Sequence, residues 1–150
     1  ISEDVKPDLV HDLEKPFPFK SSSVDFILAK HVIEHLRNPI EFIEECWRIL
    51  KLGGEIHIFS PHISQLESSG ELDHHRSGLG VFSFHYCSNF SINKRNYYSK
   101  AFFKIKKVRI HTHPVLQFLA DLSPIKYEKY FSRFFGARQI EFLLEKSSNK

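Results

Sequence analysis

The sequence predicts an α/β fold built on a parallel sheet, on three observations. Val24 to Ala29 (VDFILA) is a nearly continuous apolar run, the pattern of a strand buried on both faces. From His31 to Leu50, apolar residues recur at Ile33, Leu36, Ile40, Ile43, Trp47 and Leu50, a helical spacing. Glu55 to Ser60 (EIHIFS) then reads as a second internal strand that Pro61 stops. Two parallel strands joined through a helix require a right-handed crossover, so a β-α-β unit is the expected nucleus.

The remaining elements follow in order. Asp8 to His11 is a short strand candidate, and the loop Glu14-Lys15-Pro16-Phe17-Pro18-Phe19 cannot continue it. Lys20 to Ser23 form a polar turn, and the 24–29 strand is expected to sit centrally. A new helical segment starts at Asn38-Pro39, and Gly53-Gly54 ends it. Residues 62–90, rich in Ser, Gly and His, have no period, and loops of that length are usually functional or disordered. Ser91 caps an expected helix over Ile92 to Phe102, and Phe103 to His111 alternates as a strand. Pro114 to Phe135 is an amphipathic helical region broken at Ser123-Pro124 and closed by Gly136, and Gln139 to Glu145 makes a final strand. No internal repeat or second domain is visible, so residues 1–150 read as one domain.

Composition bounds the function classes. A chain of 150 residues with 41% hydrophobic and 14% aromatic residues can bury a core. A formal charge of +3 is too mild to indicate nucleic acid as partner. No apolar run approaches the roughly 18 residues of a membrane span, and the polar first residues do not read as a secretory leader. The chain contains no Met, so Ile1 is expected to be an internal position of a longer protein. Cys46 and Cys87 lie in unrelated contexts and support no disulfide framework.

The stretch from Asp12 to Pro61 carries several marks in order: Asp12-Leu13 before Pro16-Phe17-Pro18-Phe19, the strand Val24-Asp25-Phe26, the segment His31-Val32-Ile33-Glu34-His35-Leu36, and Arg48-Ile49-Leu50-Lys51-Leu52-Gly53-Gly54. With this spacing the chain resembles class I S-adenosylmethionine-dependent methyltransferases of the broad type 11 group. The resemblance implies a Rossmann-like sheet of order 3-2-1-4-5-7-6, with S-adenosylmethionine as cofactor. The core match spans 8–61, a variable acceptor-side loop 62–90, and C-terminal strands with a helical lid 91–146. The helical segment 114–135 between the last two strands is an elaboration. The family's first strands, its Gly-x-Gly-x-Gly turn and its ribose-binding acid have no counterpart here, so the sheet is expected to be incomplete, N-terminally truncated, and weakly stable in isolation.

The same resemblance assigns site residues. Asp12 would accept from the adenine amino group, with Leu13 packing on the ring. Ala29, Lys30 and His31 leave the carboxyl end of the central strand, where open α/β sheets bind ligands, and the resemblance places cofactor contacts there and at His35. Lys30 departs from the small polar residue usual at its position. Spacing alone would put His31 and His35 on one helical face with Glu34 between. A zincin helix has its Glu directly after the first His, where this chain has Val32, so no metal is expected. Asp25, at the start of its strand, reads equally well as a structural hydrogen bonder. His74, His75, His85 and Cys87 match no standard metal-ligand spacing; His74 and His75 are the candidate acceptor-side bases.

These readings converge on methyl transfer to a small-molecule acceptor in the cytoplasm, by the complete protein more than by this chain. The rival is a non-catalytic interaction module, binding a protein partner through the aromatic surface at 114–135.

Overall fold

The computed structural model describes residues 6–65, 78–88 and 99–148. Its elements are β1 (Val24–Lys30), α1 (Pro39–Ile49), β2 (Leu50–Pro61), β3 (Phe103–His111), α2 (Pro114–Leu122), α3 (Pro124–Tyr130), α4 (Ser132–Phe135) and β4 (Gln139–Lys146). Single 3-10 turns cover Ile33–His35 and His85–Cys87. The sheet runs β1-β2-β4-β3, with β1 parallel to β2 and both other pairings antiparallel. This order reproduces the 4-5-7-6 half of the expected sheet.

Alternation along the strands builds the core. Ile56, Ile58 and Ser60 stand opposite Leu144, Phe142 and Ile140, which in turn stand opposite Ile105, Val108 and Ile110. These side chains form one face, covered by Phe42, Ile43 and Cys46 of α1, by Phe84 edge-on to Phe142 at 4.7 Å, and by Ala120 and Tyr127 of the C-terminal helices. Helix α1 starts where Asn38 accepts a hydrogen bond from the Glu41 amide, with Pro39 in the first turn. It ends at Ile49, not at the glycine pair. Gly53, at φ +78°, and Gly54 instead lie within β2, where the pairing with β1 slips between Val24 and Phe26. The break at Ser123 is observed as expected: its hydroxyl accepts from the Lys126 amide and caps α3. Gly136 closes α4 at φ +64°.

The opposite face is polar at its centre. Glu141 accepts hydrogen bonds from Lys107 (2.7 Å), His57 (2.9 Å) and His111 (3.0 Å), so one carboxylate ties three strands. Burial pushes its carboxyl up, but these three donors outweigh burial and lower it from 4.5 to about 2.

Several expectations need correction. Asp8 to His11 form no strand; Leu9 and Val10 are exposed, and no neighbouring strand offers their backbone a ladder. The 24–29 run is an edge strand, not a central one among the described residues, with Phe26 and Leu28 52% and 58% exposed. The 31–50 periodicity is only partly helical, because the chain turns twice before Asn38. Of the expected helix at 92–102, residues 92–98 lie outside the described ones. Ala101 and Phe102 are not helical, and the Phe102 carbonyl accepts from Trp47 Nε1. Within the long loop, residues 78–88 are packing rather than open loop, since Val81, Phe84 and Cys87 are buried.

Two outcomes follow. Glu141→Gln should lower stability at neutral pH. A carboxyl held low in the folded state stabilises above its unfolded value, and that stability is lost as pH falls through about 2; urea melts should therefore lose less stability between pH 4.5 and about 2 in the variant than in the parent. Gly78→Ala should destabilise by about 1–3 kcal/mol in the same melts, because a Cβ there would lie 2.6 Å from the His62 backbone.

Candidate functional site

The carboxyl ends of β1 and β2 meet the start of β4, and polar side chains converge there. His31 leaves β1 in the left-handed region, at φ +52°, its amide bonded to the Phe59 carbonyl at 2.9 Å. A non-glycine residue held there is strained and needs surrounding contacts to fix it. Its contacts are specific: Nδ1 lies 3.2 Å from Glu34 Oε1, and Nε2 lies 3.1 Å from Gln139 Oε1. The Glu34 side chain is fully buried, and its second oxygen accepts from Ser60 Oγ at 3.2 Å. Glu34 Oε1 and Gln139 Oε1 both offer lone pairs, so the ring is held between two acceptors.

The expected pairing of His31 and His35 on one helical face is not observed. Only Ile33–His35 forms a turn, a 3-10 one, and His35 is exposed on it. Ala29 is buried at the end of β1 and Lys30 is exposed. Asp25 holds Lys51 in an ion pair at 2.8 Å, far from the ligand end, which favours its structural reading. Among the described residues no group of His, Cys, Asp or Glu could hold a metal ion. Burial pushes the Cys87 thiol up to about 12 and the Cys46 thiol also upward, so both are inert packing groups. His74 and His75 lie outside the described residues.

Asp12 sits in a turn that its own carboxylate makes, accepting from the Glu14 amide at 3.0 Å, with Lys15 3.6 Å away. The loop that follows is clamped to α1. Arg48 donates to the carbonyls of Phe17 and Phe19, and Glu45 accepts from the Phe17 amide and from Arg48. The Arg48 hydrogen bond holds the Glu45 carboxyl below its ordinary value. This clamp brings Leu13 beside Ala29. Together with His11, Phe17, Phe26, Leu28 and Val32 they line one apolar groove of about 460 Å³.

A second cluster was not visible in the sequence. His62 is buried after β2; its Nδ1 accepts from the Ser64 amide (3.1 Å) and lies 2.7 Å from Ser64 Oγ, so Nε2–H donates to Glu128 of α3 at 3.1 Å. Glu128 also accepts from the Val81 amide. Ser60, His62, Glu128 and Gln139 escaped the sequence reading, which weighed Glu34 only for a metal site. A buried Glu in a helix-like pattern was the one available signal.

Comparison with known proteins bears out the resemblance read from residues 12–61. Residues 2–58 match the family model of a methyltransferase domain of type 11. A probable S-adenosylmethionine-dependent methyltransferase of Mycolicibacterium smegmatis is 34% identical over 55 residues, 37% of this chain and 21% of that protein. In structure, the chain is similar to a SAM-dependent methyltransferase from Archaeoglobus fulgidus (TM-score 0.59, 16% identity), covering 92% of this chain and 66% of the other. It is also similar to the [4+2]-cyclase SpnF (TM-score 0.54, 14% identity; 93% and 55% covered). The chain thus has the Rossmann-like fold of class I methyltransferases and spans less than two thirds of the length of these relatives. A fold shared with a cyclase does not define a reaction by itself.

Replacing Glu34 by Ala should cost about 2 kcal/mol in urea melts, since Ser60 Oγ and His31 Nδ1 lose their acceptor. Long-range proton–nitrogen NMR should show the His31 Nδ1 resonance displaced in the variant, where its Glu34 contact is gone.

Proposed function

We propose that the protein containing these residues transfers a methyl group from S-adenosylmethionine to a small-molecule acceptor. The observation that carries this reading is the single groove lined by both Leu13 and Ala29, two residues that the family resemblance assigns to the cofactor independently. The groove's apolar lining suits a flat ring. His11 and Leu13, which flank Asp12, both border it, and the Asp12 carboxylate is half exposed to solvent.

In this reading Asp12 accepts from the adenine amino group, Leu13 and Phe17 cover the ring, and Ala29, Lys30, His31 and His35 border the methionine end. The cofactor supplies an electrophilic methyl group on a sulfonium. The chain's own contribution is positioning: the Arg48–Glu45 clamp fixes the loop, and Glu34 with Gln139 fixes the His31 ring. The His31 ring, fixed by Glu34 and Gln139, stands at the strand ends, where it can border an acceptor hydroxyl or amine. His74 and His75 remain proposed as acceptor-side bases.

A second reading, a non-catalytic module that binds a protein partner, is favoured by one observation. Val115, Phe118, Leu122, Phe134 and Phe135 are large, apolar and exposed on the C-terminal helices. No helix among the described residues is long and apolar enough to cross a membrane.

Calorimetry of S-adenosylhomocysteine with the full-length protein decides between them. Binding heat that weakens about 10-fold in Asp12→Ala is expected, as for loss of a hydrogen bond at a charged group. No heat from the parent would remove the transferase reading and leave the module.

A further inference from the structure

A second groove, of about 650 Å³, opens at the same end of the sheet and is not used by the cofactor reading. It is lined by residues 63–65, 112–113 and 132–138, and none of these is an Asp or a Glu. It contains two arginines, Arg133 on α4 and Arg138 just before β4. The other described arginines are all paired: Arg37 with Glu14, Arg48 with Glu45 and Arg109 with Asp121. Arg133 and Arg138 have no acidic partner among the described residues. The unpaired guanidinium groups among the described residues are thus collected in one cavity.

The rest of the groove completes a binding site. Phe134 and Phe135, 80% and 60% exposed, supply an apolar wall. The other wall is rigid: Thr112 Oγ1 donates to Tyr127 Oη at 2.7 Å, and Tyr127 Oη donates to the Gly136 carbonyl at 2.8 Å. Ser64 is held by buried His62, itself anchored by Glu128. Position ties the groove to the chemistry. Arg138 adjoins Gln139, whose side chain contacts His31 Nε2, and the His62 amide donates to the Arg138 carbonyl.

We infer that this groove is the acceptor site and that the acceptor is a small organic carboxylate with an apolar body. Arginine presents a planar fork that matches a carboxylate, and its weak hydration lets it sit beside apolar walls. The apolar body lies against Phe134 and Phe135, and the groove's excess of positive charge draws the anion in. This assignment of substrate class rests on the transferase reading, whereas the anion site itself does not.

The test uses amide-resolved NMR on the full-length protein, with 3-phenylpropionate and its neutral amide, 3-phenylpropionamide, as probes. The carboxylate should shift the amides of residues 112 and 132–138 and bind about 10-fold more tightly than the amide. Arg133→Gln and Arg138→Gln should each weaken it by about 3- to 10-fold, and added salt should weaken it further. Both side chains are exposed and unpaired, so the variants should melt like the parent, and that is measured alongside. Equal binding of acid and amide, shifts that map elsewhere, indifference to both substitutions, or no shift at about 10 mM probe would each overturn the inference. S-adenosylhomocysteine calorimetry on the same samples separates the two claims. Cofactor heat without carboxylate binding sinks only the acceptor class, and carboxylate binding without cofactor heat sinks the transferase and the acceptor role with it, leaving an anion site alone.

Discussion

The antiparallel register of β2 against β4 is the constraint on which the rest of this structure depends. It pairs Glu55 with Glu145 at one end and Pro61 with Gln139 at the other. Side chains alternate with a period of two, so a slip of one residue would move Ile140, Phe142 and Leu144 out of the core and Glu141 into it. The same register sets Gln139 beside Pro61, which brings a C-terminal amide within reach of His31, more than a hundred residues away in sequence. The His31–Gln139 contact and the start of β4 at the ligand end inherit their positions from that pairing.

Two kinds of glue hold the sheet, and they act on opposite faces. The core face is held by apolar burial of Ile, Leu and Phe from three strands. The other face is held electrostatically, with Glu141 at its centre. At the opposite end of β4, Lys146 donates to the Leu50 carbonyl at 2.6 Å and lies 4.5 Å from the centre of the Trp47 ring. Burial lowers its pKa, yet the carbonyl and the ring stand in for the water it loses. The polar face is tied side to side by long side chains, without helices above it among the described residues. The apolar edge of β1, with Phe26 and Leu28 exposed, belongs to that same side of the sheet.

The functional end shows a division of labour between rigid and open groups. His31 and His62 each have a carboxylate on one ring nitrogen, from Glu34 and Glu128. His62 is sealed in and acts as a joint between β2 and α3, while His31 stays partly exposed at the strand ends. The arginine-bearing groove lies beside these anchored rings, and its walls come from the segment inserted between β3 and β4. The segment leaves the strands joined, because β3 and β4 pair from His111 opposite Gln139 to Phe103 opposite Lys146, with one shift between Ile105 and Lys107.

Local pattern alone settled what is local. The apolar run at 24–29, the alternation at 55–60 and 103–111, the Asn38-Pro39 start, the Ser123-Pro124 break and the Gly136 stop are properties of short windows, set by side-chain period and backbone freedom. The order of marks from Asp12 to Gly54 also carried the fold. Tertiary structure decided what depends on neighbours. The 24–29 strand lies at an edge because burial is a property of what packs alongside, not of the run itself. Leu9 and Val10 form no strand because a strand needs a ladder partner. Glu34, Ser60, His62, Glu128 and Gln139 became a site only through contacts between distant segments, since a hydrogen bond reaches about 3 Å in space whatever the separation along the chain.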